Sequence, residues 1–238
     1  MKQNPIFLSS SDTINSNAKI IIDFYDYNKF LEDYPKHFSI LIISKEKSYD
    51  LKLINLVKGY SQTQATFLLP ERILIGQYDI ALKPKTLELA YEIGDVRNAS
   101  GFMNIILKNI YVTNIKNNIS GNWGNEIELK QAKSAWGGCF GGTKFFNEFF
   151  ISNTFDPNML FEITLISKEP HPKTIIAYII NKNQNLFNIG HDFCYGTFNL
   201  DTYVDYKVII RAYSQKLDSY SEPISCEIEK KNWKHFDR

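Results

Sequence analysis

A period of two runs through this sequence. In "VDYKVIIRAY", Val204, Tyr206, Val208, Ile210 and Ala212 share one face, with Asp205, Lys207 and Arg211 on the other. "MLFEITLI" sets Met159, Phe161, Ile163 and Leu165 against Glu162 and Thr164. "GQYDIAL" sets Tyr78, Ile80 and Leu82 against Gln77, Asp79 and Ala81, and "TLELAY" sets Leu87, Leu89 and Tyr91 against Thr86 and Glu88. Successive side chains of a strand point to opposite sides, so each segment reads as a strand with one buried and one wet face. The less regular runs "AKIIIDFY", "FSILIIS", "ATFLL", "FMNIILKNIYV" and "TIIAYII" read as strands covered on both sides or interrupted by bulges.

Helix signals are few. Asn28 to Tyr34 has room for one turn before Pro35, and "TKFFNEFF" fits a helix capped by Thr143 as well as a doubly buried strand. Turn signals at Lys58-Gly59, Lys83-Pro84, Asp156-Pro157 and Glu169-Pro170-His171-Pro172 separate the runs. Many short strands with turns between them and little helix specify an all-β sandwich or barrel. An aromatic fraction of 14%, nearly all Phe and Tyr, agrees, because such side chains suit a pleated surface.

The strands are too numerous for one small sandwich, and 238 residues suit two domains. The pattern restarts after the polar stretch "EIGDVRNASG" (Glu92–Gly101), so the expected division is 1–94 and 95–238. The second part is long for one sandwich, and 116–150 reads as an insertion within it.

Two segments carry a resemblance. "ATFLLPERILIGQYDIAL" (Ala65–Leu82) resembles the late strands of bacterial immunoglobulin-like domains, where a strand ends at proline and Gly-x-Tyr opens the next. "YVDYKVIIRAYSQKLDSYSEP" (Tyr203–Pro223) resembles the last hairpin of fibronectin type III domains. The resemblance implies two tandem β-sandwich domains, immunoglobulin-like and then fibronectin type III-like. It implies no activity, because this architecture hosts many unrelated roles.

Charge excludes little and supports little. The balance of 27 Lys+Arg against 26 Asp+Glu lacks the basic excess of a nucleic-acid binder. Its only dense basic patch is the C-terminal tail, Lys230, Lys231, Lys234 and Arg238, which reads as solvated chain. Cys139, Cys194 and Cys226 are too few for a disulfide framework and read as free thiols. The N-terminal apolar run is far shorter than a signal-peptide core, so a cytoplasmic location is expected unless a leader has been removed. No membrane insertion is expected.

The glycine-rich "AWGGCFGGTK" (Ala135–Lys144) has the Gly-x4-Gly spacing of a phosphate loop, but Thr143-Lys144 reverses the order that such a loop needs. Its Cys139 is the one candidate nucleophile, and no base is visible beside it. His191 and Asp192 in "GHDFCYG" are metal-capable, yet they supply too few ligands for a closed site. The strongest candidate patch is aromatic and amide-rich: Asn122, Trp123 and Asn125, then Trp136 and Phe140. Tryptophan beside Asn and Gly suits stacking on sugar rings or anchoring a protein.

The expected function is therefore non-catalytic binding or assembly. Loops and strand edges would be presented to a protein or glycan partner, without cofactor or metal. The alternatives are an enzyme centred on Cys139, or an inhibitor or immunity-type protein of a toxin or secretion component.

Overall fold

The computed structural model describes residues 5–9, 11–25, 28–59, 62–92, 105–114, 129–132, 145–151, 160–180, 186–191 and 204–228. The chain is all-β and divides into two compact units. The first comprises 1–56, 62–117 and 215–218; the second comprises 57–61, 118–214 and 219–238. Among the described residues no helix is long and apolar enough to cross a membrane.

The first unit is built from β1 (Ile6–Leu8), β2 (Thr13–Asn15), β3 (Lys19–Tyr25), β4 (Phe38–Ile43), β5 (Ser48–Asp50), β6 (Lys52–Lys58) up to Leu56, β7 (Gln62–Leu68), β8 (Gly76–Pro84) and β9 (Ile105–Thr113). One sheet has the order β1-β3-β7-β6 and the other β2-β9-β8-β4-β5. β2 runs parallel to β9, and the other registered pairs are antiparallel. In the lettering of immunoglobulin sandwiches these orders are A-B-E-D and A′-G-F-C-C′, so strand order alone makes this an immunoglobulin-like sandwich.

Alternation explains the core. Ile20, Ile22 and Phe24 of β3 and Ala65 and Phe67 of β7 share one buried cluster with Phe38, Ile40 and Ile42 of β4. Tyr78, Ile80 and Leu82 of β8 and Ile110 and Val112 of β9 complete it. All three cysteines lie after residue 117, so no disulfide joins these sheets. Aromatic packing occupies the centre instead. Tyr34 makes edge contacts with Phe38 (5.2 Å) and Phe67 (5.6 Å), and Phe38 meets Phe24 at 5.8 Å. The Tyr34 hydroxyl donates to the Leu51 carbonyl at 3.1 Å, which satisfies the polar end of an inward ring. The segment 215–218 joins this unit through Gln215, whose amide donates to the Lys19 carbonyl at 2.9 Å.

Two short helices lie among the described residues of the unit. α1 (Asn28–Glu32) is the expected single turn, and it buries Phe30 and Leu31. α2 (Leu87–Glu92) replaces the strand expected from "TLELAY". Thr86 decides this locally: its hydroxyl accepts the Leu89 N–H at 3.4 Å, in the position of an N-cap over a run of good helix formers. Alternation would have buried Leu87 with Leu89, but Leu89 is buried and Leu87 is 60% exposed. The polar stretch after α2 connects neighbouring strands of one sheet, because β9 pairs with β8. The first unit therefore runs on to Asn117, and the division expected at 94/95 falls inside it.

The second unit contains β10 (Leu129–Ala132), β11 (Phe145–Ile151), β12 (Leu160–Ser167), β13 (Thr174–Ile180), β14 (Leu186–His191), β15 (Tyr206–Ser214), β16 (Ser219–Tyr220) and β17 (Ile224–Ile228). One sheet has the order β10-β11-β14. The other has the order β13-β12-β15-β16, with β17 also paired to β15. The same letters give A-B-E and C′-C-F-G, a fibronectin type III-like sandwich order. The described part of "TKFFNEFF", from Phe145 onward, is strand. Within 116–150, read from the sequence as an insertion, β10 and β11 are two of the three strands of the smaller sheet. On the larger sheet Phe161, Ile163 and Leu165 stand opposite Ala212, Ile210 and Val208, and all six are buried.

Candidate binding site

On the first unit, the outward face of the β4-β8-β9 sheet holds a groove of about 600 Å³. Ile43, Gln77, Asp79, Asn109, Lys45 and Glu46 line it. Register builds its floor, since Ile43 lies opposite Asp79 and Asp79 opposite Asn109, in one row across three strands. In the next row Gln77 lies opposite Tyr111, which is 46% exposed. Gln77 Nε2 donates to Asn109 Oδ1 at 3.0 Å, which fixes both amides and leaves further donors and acceptors facing outward.

A tight turn forms the rim. Ser44 N donates to the Lys47 carbonyl at 2.7 Å and Lys47 N donates to Ser44 Oγ at 3.1 Å, so Lys45 and Glu46 project from an ordered tip. A β-bulge in the β8–β9 pairing, between Ile80 and Ala81, lies beside the floor. Such bulges re-aim side chains at the edge of a site.

A polar cluster occupies one face of the larger sheet in the second unit. Glu162 on β12, expected on a wet face, is 2% exposed. It lies between Tyr178 of β13 and Arg211 of β15 in the register. Arg211 Nε donates to Glu162 Oε1 at 2.7 Å, its Nη2 pairs with the same oxygen, and the Tyr178 hydroxyl donates to Oε2. Arg211 also lies 3.8 Å over the Tyr220 ring, which stacks on Tyr213 at 4.6 Å. Burial raises the Tyr178 pKa above its ordinary value, and the charges of Tyr220 and Glu162 raise it further. Both carboxylate oxygens are engaged, so this cluster is a brace across three strands rather than a base awaiting a substrate.

Neither cluster coincides with the residues singled out from the sequence. Asn122, Trp123, Asn125, Trp136, Cys139, Phe140 and Asp192 lie outside the described residues, as does the whole "AWGGCFGGTK" stretch. His191 ends β14, in register with Phe145. Among the described residues no group of three or more His, Cys, Asp or Glu side chains converges as a metal site. Gln77 and Asp79 were readable as outward residues of "GQYDIAL". Their convergence with Asn109 and the Ser44 turn depends on pairings between distant segments.

No family model matches the chain, and no curated protein matches it. Several solved structures align with most of its length. Pullulanase type I from Bacillus subtilis str. 168, complexed with maltose, is 7% identical and aligns over 94% of this chain with a TM-score of 0.26. Pullulanase from Anoxybacillus sp. LM18-11, complexed with maltotriose, is 11% identical over 94% with a TM-score of 0.27. The chicken CNTN1 FN1-FN3 domains are 12% identical over 94% with a TM-score of 0.26. This chain spans 25% of each pullulanase chain and 65% of the CNTN1 chain. At these scores the sandwich assignment rests on strand order, not on the likeness.

Proposed function

We propose that the chain is a non-catalytic binding or assembly module, with the β4-β8-β9 groove as a contact surface for a protein or glycan partner. The observation that supports this reading is the row Ile43, Asp79 and Asn109, extended by Gln77 and Tyr111 and rimmed by Lys45 and Glu46. Polar groups with fixed geometry around a small apolar contact are what recognition of a partner requires. Among the lining residues the Ser44 hydroxyl is engaged by its own turn, contacting the backbone of Lys47, so it is not poised as a nucleophile. A half-exposed tyrosine next to the groove supplies an anchor of the type enriched at interfaces.

The test is site-specific photo-crosslinking of the full chain in its native extract. Benzoylphenylalanine at Tyr111 gives one discrete adduct, whereas the same group at Ile54, which is comparably exposed on β6 of the other sheet, gives none. Equal adducts at both positions, or none at Tyr111, overturn the reading.

A further inference from the structure

We propose that the groove on the β4-β8-β9 face binds a short neutral saccharide. This deepens the binding-module reading and rests on it. Three observations select the ligand class. The first is the inventory of polar groups. The coupled amides of Gln77 and Asn109 offer donors and acceptors side by side, Asp79 and Glu46 offer acceptors, and Lys45 offers donors. A sugar hydroxyl is at once donor and acceptor, so neighbouring hydroxyls match an alternating array better than they match a surface of one kind.

The second is charge. Asp79 and Glu46 outnumber Lys45 around the groove, so an anionic sugar meets net repulsion and a neutral one does not. The third is shape. The groove is an open depression of about 600 Å³ on a strand face, within the size range of small-ligand sites. Tyr111 stands in register beside Gln77, where its exposed ring can receive the C–H face of a sugar. Ile43 gives a second apolar contact at the floor. A cationic peptide would also be attracted by the carboxylates, and screening by salt separates its binding from that of a neutral sugar.

The test is titration of the isotope-labelled full chain with neutral di- and trisaccharides of glucose, galactose, mannose and N-acetylglucosamine, at up to about 10 mM to reach millimolar affinities. Sialyllactose is the acidic control, and a lysine-rich peptide the cationic one. The expected result is a saturable shift of the Gln77 and Asn109 side-chain amide resonances with at least one neutral saccharide. Gln77→Ala and Asp79→Ala each weaken it by about tenfold or more, the usual effect of losing a ligand hydrogen bond. Tyr111→Ala weakens it similarly, with backbone resonance dispersion unchanged in all three variants. Raising the salt to about 0.5 M changes the affinity less than about twofold, because the ligand carries no charge to screen.

No shift with any neutral saccharide overturns the proposal, as does undiminished affinity in the variants. Binding of the cationic peptide alone, lost at high salt, also overturns the saccharide class. In that case a Tyr111 photo-adduct that disappears on Asp79→Ala leaves the binding-module reading standing. Absence of both the shift and the adduct ends both readings.

Discussion

Replacing Arg211 by methionine tests whether the cluster around Glu162 braces the second unit. Methionine keeps most of the stem volume and removes the guanidinium, so Glu162 loses its donors at Oε1 while Tyr178 still donates to Oε2. Breaking a fully buried ion pair from one side costs about 3–5 kcal/mol. Here the Arg211 side chain is 38% exposed against 3% for Glu162, so water screens part of the interaction and the expected loss is about 2–3 kcal/mol. The assay is amide hydrogen exchange along β12 and β15 in the full chain, which reads the opening free energy of those strands directly. The expected change is roughly 30- to 150-fold faster exchange at Glu162 and its neighbours in β12. Pairing Arg211→Met with Glu162→Leu removes both charges together. That double variant lies within about 1 kcal/mol of wild type, because no buried charge is stranded. Exchange within threefold of wild type in the single variant refutes the brace. A double variant that shows the sum of the two single losses refutes it equally.

The raised pKa of Tyr178 makes the second unit sensitive to alkali. The unfolded phenol ionises near pH 10 whereas the folded one holds its proton, so the stability is fully present below pH 10 and is lost as pH rises above it. One such proton gives a slope of about 1.4 kcal/mol per pH unit. Tyr178→Phe makes hydrogen exchange in β12 less steep by about 1 kcal/mol over the interval from about pH 10 to 11, where the unfolded phenol is partly ionised, and equal slopes in the two proteins refute the assignment. In the first unit Phe24→Ala removes a fully buried ring from the inter-sheet aromatic group and destabilises it by about 3–5 kcal/mol, read by exchange in β3 and β4. A loss under about 1 kcal/mol there would show that the ring contacts carry little of the stability without a disulfide.

Period-two alternation located the strands well where a single face meets the core. Tyr78, Ile80 and Leu82 are buried as their pattern requires, and so are Tyr206, Val208, Ile210 and Ala212. It misled at Leu87–Glu92, where the alternating Leu87, Leu89 and Tyr91 coincide with residues of high helix propensity behind a threonine cap. It also placed Glu162 in water. A charged residue on the outer face of a strand reads as solvated unless its cross-strand partners are known. Glu162, Tyr178 and Arg211 meet only through pairings of β12 with β13 and β15. The domain boundary was displaced for a related reason: a polar loop looks the same whether it separates domains or joins adjacent strands of one sheet.

The groove shows how much one unpaired residue can hide. Ile105 stands opposite Leu82, which faces the core, so counting by twos along β9 would put Asn109 and Tyr111 on the core side. It would also turn Ile110 and Val112 outward. The structure has the reverse: Ile110 and Val112 are buried, and Asn109 and Tyr111 are exposed. The parity changes at the bulge, where Ala81 pairs with Ile106 and Ile80 with Lys108, leaving Leu107 without a partner. Burial of Ile110 and Val112 favours this inserted residue, because the unbulged register would expose two β-branched or aliphatic side chains and bury an amide and a phenol. The hydrophobic face of the last strand thus sets the register. The outward row of Asp79, Asn109, Gln77 and Tyr111 follows from that burial, so the side chains that close the core also fix which residues line the groove.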